Sequence, residues 1–565
     1  MKQLADSHHT TVAKWLVISV ALLHSLSGFA APVPPDAGQT LREIQQHPPI
    51  TAPDSVPQLQ IETDHAQGTD SDIRFPVKAI RITGNVEIPI GELQPLVAEL
   101  IGGQHSLAEL NAAASRITAY YRSRGYAVAR AYIPAQDIQD GVVVINVVEG
   151  RVSQHRLDNQ SRLSDQRAGA YLDQVKDGDV VKADRIDRSL LLLNDTPGVG
   201  GSHATLQPGA SVGTSDLVVQ LDQASLVSGN VSLDDYGNRY TGYNRAGGTI
   251  NLNSPLGIGD QFTFSGLVSD QNLSYGRMAY TLPVGSDGLR VGAAYSDTRY
   301  VLGQEFSNLL AHGTASSGSA FALYPFIRSQ RSNLTGSLTW EQKALTDYVD
   351  STATVTGRRV HRANLGLIGD HQDNLGGGGV NNFQMDLTSG QLTIDSPGAL
   401  AIDNASARTN GAYSRLAYNA NRLQRLTESN QLSFAVSGQQ TNKNLDPSEQ
   451  FSLGGAYGVR AYPQGEGIGD AGYIANLELR HNFNGTLQGT LFYDTGSVTI
   501  NHTPFGPAAP NTRNLSGAGI GANATLSGFV IKSALAWPTS GQATSIPASA
   551  PNNNPTLWVQ ASMGF

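Results

Sequence analysis

One arginine stands alone in a glycine-rich stretch of this chain, Phe451-Ser-Leu-Gly-Gly-Ala-Tyr-Gly-Val-Arg460-Ala-Tyr-Pro-Gln-Gly-Glu466, and carboxylates follow at Asp470, Glu478 and Asp494. A guanidinium within reach of a carboxylate makes a forked, charge-assisted pair, which fastens two parts of a chain together. On an exposed loop such a pair contributes about 0–1 kcal/mol. In an occluded cavity, removing one partner costs about 3–5 kcal/mol, because the other charge is left buried alone.

The patterns that suggest catalysis fail on context. Gly209-Ala-Ser-Val-Gly213 has the spacing of a nucleophile elbow, which requires a strand, a turn and a helix, but here it joins two strand candidates. Gly467-Ile-Gly-Asp-Ala-Gly472 has dinucleotide-loop spacing, yet a strand pattern follows it, so no helix N-terminus is offered to a phosphate. The glycine run 376–379 lacks the Lys-Ser/Thr of a phosphate loop. The 13 histidines show no HExxH or other metal-ligand spacing, and the absence of cysteine excludes thiolate ligands and disulfides. No catalytic residue, metal site or cofactor is expected. A formal charge of -9 gives no reason to expect a nucleic-acid partner.

Strand phase decides where the arginine can go. After the loop the chain alternates: Tyr473, Leu477 and Leu479 share one face, while Asn476, Glu478 and Arg480 share the other. In the next segment Leu487, Leu491 and Tyr493 point one way and Gln488, Thr490, Phe492 and Asp494 the other. If the apolar faces meet lipid, Glu478 and Asp494 face a lumen, and a loop folded into that lumen brings Arg460 to Asp494 or to Glu478.

Period-two segments of this kind fill the chain from about residue 224 onward. About sixteen are countable, within the even-numbered range of outer-membrane barrels. Short connectors at 255–260, 283–288 and 426–430 alternate with long ones near 299–318, 345–357, 393–407, 441–470, 501–513 and 538–555, as periplasmic turns alternate with external loops. The last segment sets Leu557, Val559, Ala561, Met563 and Phe565 on one face, which calls for lipid or a closing strand. A soluble β-sandwich explains the alternation but not the connector asymmetry.

The first 223 residues are organised differently. Lys2 and Lys14 precede a short apolar run at 15–26 that ends in Gly28-Phe-Ala30, the pattern of a secretory signal peptide over 1–30. Residues 31–72 read as linker with one amphipathic helical island around Leu41 and Ile44, too short to be stable without a surface to rest on. Residues 73–149 read strand (77–82), short helix (92–100), longer helix (107–121), strand (127–133), strand (142–148). Residues 150–223 repeat that order, with strands at 152–157, 203–207 and 216–221 and helices near 167–174 and 182–194. Open strand edges of such units can accept an extended polypeptide.

Together these residues resemble a known family. Two βααββ units before a C-terminal barrel are similar to the transporters of two-partner secretion, the TpsB proteins related to the filamentous haemagglutinin and haemolysin exporters, whose small units are POTRA domains. Tyr120-Tyr-Arg-Ser-Arg-Gly-Tyr126 and Leu191-Leu-Leu-Asn-Asp-Thr-Pro-Gly198 are typical POTRA phrases. Gly454-Gly455, Val459-Arg460-Ala461-Tyr462 and Gly469-Asp470 match the family's loop motif, and Phe492-Tyr-Asp494-Thr-Gly496 its barrel-wall motif. One departure is Ala461, where the family has glycine; alanine disfavours positive φ and predicts a changed loop tip.

The resemblance implies two POTRA-like domains followed by a 16-stranded antiparallel transmembrane β-barrel (224–565), with the loop 441–470 folded inside. It implies that Arg460 pairs with Asp494, with Glu478 as the alternative, and that the helical island plugs the pore. The function implied is export, by an outer-membrane protein working as a monomer in lipid, of a large β-rich TpsA-type partner recognised in the periplasm through its N-terminal domain, without nucleotide or metal. Two rival functions share the barrel. An assembly factor for other outer-membrane proteins usually carries more POTRA units; a passive porin or adhesin gives no reason for POTRA units or a matched arginine loop.

Overall fold

The computed structural model describes residues 34–45, 58–61, 74–138, 140–544 and 554–565. The signal peptide expected at 1–30 lies outside the described residues.

Sixteen antiparallel strands close into one barrel, from Val227–Asp234 round to Thr556–Gly564, which pairs back on the first strand. Apolar side chains on the outer phase are exposed, and Leu338, Leu365 and Leu491 among them more than half so, as a lipid-facing band requires. The connectors facing the small units are tight, for example 285–288 and 329–331; those at the opposite end include 395–410 and 442–470. Two connectors expected to be long are not. The stretches near 299–318 and 345–357 shrink to 302–310 and 350–353, because Ala311–Arg328, Ser332–Val349 and Thr354–Asp373 run for 18, 18 and 20 residues. A membrane-spanning strand needs only about 9–11 residues. The ladders therefore continue past the bilayer through segments too polar to announce themselves as strands.

The first small unit has a three-stranded sheet in which Val142–Val148 lies between Ala79–Thr83 (parallel) and Arg130–Tyr132 (antiparallel). Helix Leu107–Ser123 covers it, starting from a capping box in which Ser106 and Glu109 satisfy each other's backbone N–H groups. The helix expected over 92–100 is instead one turn, Ile90–Leu93, followed by two 3-10 turns, because Pro95 lacks the N–H that would continue it. At the junction between units, Glu149 is buried and accepts from Tyr121 Oη (2.9 Å) and from the backbone N–H groups of Val86 and Glu87 (both 2.7 Å).

The second unit packs helices Asp165–Leu172 and Ala183–Asn194 on strands Arg151–Asn159, Thr214–Gln223 and Val199–Pro208. Ser211 of the false nucleophile motif lies in the turn between the last two, its carbonyl accepting from Thr214. The edge at Val199–Pro208 is not open: Gln58–Ile61, from the expected linker, pairs on it in parallel, with Gln58 opposite His203. This leaves Arg151–Asn159 as the opposite end strand of that sheet. The unit is fixed to the barrel's tight turns by a forked pair from Arg328 to Asp195 (2.6 and 2.8 Å) and by Gln174 donating to Asp287 (2.7 Å).

Inside the barrel lies the helix Ala37–Ile44, capped by Asp36, whose side chain accepts from the Gln39 N–H at 2.8 Å. Ala37 and Leu41 pack on Tyr300 of the wall and on Tyr240 and Leu302 of its connectors, and Glu43 accepts from Asn238. The lumen supplies the surface this short helix lacks by itself.

Candidate functional site

The connector 442–470, between strands Asn430–Thr441 and Ala471–Asn482, turns back into the lumen. Its two arms meet in a short antiparallel ladder, Phe451–Ser452 with Ile468–Gly469, extended by Leu453 N–H to Gly467 O (3.0 Å) and Gly454 N–H to Glu466 O (2.8 Å). Gly455 then turns the chain at φ +126°, a value that side-chain-bearing residues avoid, and its N–H donates to Tyr462 O at 3.1 Å. The residues between, 456–461, form the tip.

Arg460 is held from every side. Its Nε and Nη2 fork onto Asp494 Oδ2 and Oδ1 at 2.9 and 2.8 Å, and its backbone N–H donates to Oδ2 at 3.1 Å. Nη1 reaches Glu478 Oε1 at 2.7 Å, and the guanidinium stacks 3.5 Å from the Phe492 ring centroid. Both carboxylates offered as alternatives by strand phase are thus engaged, on adjacent strands whose pairing sets Asn476 opposite Asp494. They are not equivalent. Asp494 is fully buried and takes three N–H groups from Arg460 alone, while Glu478 shares its second oxygen with Arg480 at 2.6 and 2.9 Å. With the desolvated Asp494 facing a cation, each charge depends on the other.

The remaining motif residues divide into two groups. Val459 and Tyr462 are buried with Leu453, Ile474, Phe492 and Val498, and Tyr462 Oη donates to Ser540 O at 2.7 Å. Gly496 lies against the loop, where a Cβ would come within 2.9 Å of Leu453 Cδ2. Gly469 and Asp470 are elsewhere, at the loop's exit. There Asp470 accepts from the Leu445 and His502 N–H groups (3.0 and 2.8 Å) and from Gln450 Nε2 (3.0 Å), tying the two ends of the loop together.

The altered tip expected from Ala461 is not required. Ala461 is not among the non-glycine residues with positive φ, so its backbone is one that alanine adopts without strain. The wall makes room for its methyl group at Gly517: a Cβ there would lie 2.4 Å from Ala461 Cβ.

Two wall residues that touch the tip were not singled out from the sequence. Asn476 donates to Asp494 Oδ1 (2.8 Å) and to Gly458 O (3.1 Å), and the Trp558 indole N–H donates to Arg460 O (2.7 Å). Both sit on the inward phase of their strands, so alternation carried a signal for them; what it lacked was the loop's position. Trp558 belongs to the strand that closes the barrel, so the tip bridges the wall from Glu478 to the seam.

Comparison with known proteins places the molecule. The family model described as haemolysin secretion/activation protein ShlB/FhaC/HecB matches residues 213–524, and that of the ShlB-type POTRA domain matches residues 75–150. The heme/hemopexin transporter protein HuxB of Haemophilus influenzae (strain 86-028NP) is 27% identical over 475 residues, covering 82% of this chain and 83% of its own. The outer membrane transporter CdiB of Dickeya dadantii (strain 3937) is 22% identical over 490 residues, 82% and 84% of the two chains. Among solved structures, CdiB from Escherichia coli superposes over 100% of both chains with TM-score 0.69 at 19% identity. BamA from Haemophilus ducreyi lacking POTRA domains 1–3 gives TM-score 0.50 at 15% identity, covering 87% of this chain and 100% of its own; these likenesses concern the fold. With one family model spanning more than half of its length and a ShlB-type POTRA domain ahead of the closed barrel, the chain belongs to the haemolysin secretion/activation family, the two-partner secretion transporters of the outer membrane, and holds its POTRA domains in the periplasm.

Proposed function

We propose that this transporter exports one large, β-rich exoprotein, capturing its N-terminal domain in the periplasm on the POTRA sheets and passing it through the barrel unfolded. The observation that carries this reading is the lumenal loop, held by a buried Arg460–Asp494 pair in a barrel that also contains a helix. A passive pore has no use for an occluded lumen; a gated export channel does. The end strand Arg151–Asn159 supports strand addition by the cargo, since its residues are largely exposed and it lies at one border of its sheet. Export of this kind uses no nucleotide, metal or catalytic step: folding of the cargo outside the cell supplies the direction. The protein acts as a monomer in lipid, with no nucleic-acid partner.

Arg460→Ala tests the reading. Inserted in the outer membrane at normal levels, the variant abolishes or greatly reduces release of the partner exoprotein into the medium. Normal release overturns the proposed role of the loop.

A further inference from the structure

The arginine at the loop tip is not alone in holding the loop by buried charge: on the returning arm the buried Glu466 pairs with Arg513 of the wall. A further cluster is at the loop's base, in the five residues Asp446-Pro-Ser-Glu-Gln450, and lies outside every motif described above. Glu449 is fully buried. Its Oε1 meets Lys343 Nζ at 2.8 Å, and its Oε2 meets Arg362 Nη1 at 3.0 Å and Arg415 Nη1 at 3.2 Å. The three cations come from three wall strands, Ser332–Val349, Thr354–Asp373 and Gly411–Arg425. Arg362 is balanced further by Glu341, at 2.6 Å from its Nε.

The same five residues carry the lumenal helix. Arg358 of the wall joins Asp446 (2.7 Å) to Asp36, the helix cap (2.8 Å), and to Asp347 (2.6 Å), which also accepts the Ala37 N–H (2.8 Å). Gly38 presses on Ser448 so closely that a Cβ would lie 2.7 Å from the Ser448 nitrogen. Arg42 Nη1 donates to Gln450 O at 2.7 Å and Pro447 O at 3.2 Å.

We propose that Asp446–Gln450 is a second lock of the in-folded loop, that Glu449 is its positioning residue, and that this lock, not the Arg460 pair, holds the helix in the lumen. The two sides of the contact are unequal. Glu449 has three cationic partners, whereas among the described residues Arg42 has no carboxylate at ion-pair distance, and its Nε and Nη2 make no hydrogen bond. A buried guanidinium satisfied only by two carbonyls holds less firmly than a carboxylate enclosed by three cations. The helix therefore leaves first, with the loop base still anchored; Arg358 keeps Asp446 and Asp347 when Asp36 departs. Loss of the base first would remove the two carbonyls, the Ser448 contact and the Asp446 share of Arg358 together, and the helix would go with it. The idea deepens the export reading, but its test reads helix position and not secretion, so each can fail alone.

The chain has no cysteine, so one introduced thiol reports without background. Thr40 is 3% exposed on the docked helix, and Thr40→Cys changes the side-chain volume little. Its labelling rate with a polar maleimide, in the purified full chain reconstituted in lipid vesicles, measures the undocked population. Glu449→Gln is expected to raise that rate by about tenfold or more, Glu449→Asp by less, and Arg460→Ala by no more than about twofold. An unchanged rate in Glu449→Gln, an equal rise in Glu449→Asp and Glu449→Gln, or an Arg460→Ala effect as large as that of Glu449→Gln each overturns the proposal. Insertion of every variant is checked by its heat-modifiable mobility. Should Glu449→Gln not insert, Lys343→Gln probes the same anchor from the wall and is expected to raise labelling as well; no rise there also overturns it.

Discussion

The two ends of the in-folded loop are electrostatic opposites. At the tip one cation, Arg460, sits between two acids; at the base one acid, Glu449, sits among three cations. The tip's partners follow within 34 residues, on the first two strands after the loop. Two of the base's partners lie 87 and 106 residues earlier in the chain. Each lock centres on a buried loop charge of one sign and lets the wall supply the plural opposite; at the base Asp446 adds a second loop carboxylate, paired with Arg358 of the wall.

The strongest way to break this comparison is Asp494→Ala. It strips Arg460 of its fork and of the acceptor for its backbone N–H, and should lower the free energy of opening the tip by about 3–5 kcal/mol. Hydrogen exchange of the amides 455–462 reads that change directly, and the amides of Asp446 and of 448–450 should stay protected. Next in size is Gly517→Ala, which sets two methyl groups against each other and should loosen the tip by about 1–3 kcal/mol. Adding Ala461→Gly removes the clash, so the pair should restore both exchange protection and partner export; lack of recovery would show that the tip is not seated by this fit. Smallest is Trp558→Phe, which deletes one hydrogen bond to Arg460 O, worth about 0.5–1.5 kcal/mol, and should leave export measurable.

Much of the tip was legible in the sequence and little of the base. Alternation alone turned Glu478, Asp494 and Phe492 inward, because a strand's period of two leaves no other choice once its apolar face is known. The helix expected over 107–121 forms, and its Leu110, Ala114, Ile117 and Tyr121 are buried in the core of the first small unit, whereas Leu107, at the same spacing, is only half-buried. Glu449 carried no comparable signal. Its partners become its neighbours only when the loop folds back into the lumen, and a lysine or arginine on an inward phase looks like any lumenal charge. The fit of Ala461 to Gly517 was hidden for the same reason: it is a match of one methyl group to one missing one, across 56 residues of chain. Pro95 and the overlong external strands misled in the opposite way, since local propensity was read without the backbone bonds that finally decide it.

The strand Gln58–Ile61, paired on the second small unit, sets the length of a leash. Thirteen residues, 45–57, separate it from the lumenal helix. Fully extended they reach at most about 45 Å, more than the roughly 30 Å of a bilayer's hydrocarbon core. The helix can thus clear the barrel while the strand stays zipped to its sheet. A helix on so short a tether would meet the lumen at an effective concentration on the order of millimolar, so return to it would need no second binding partner.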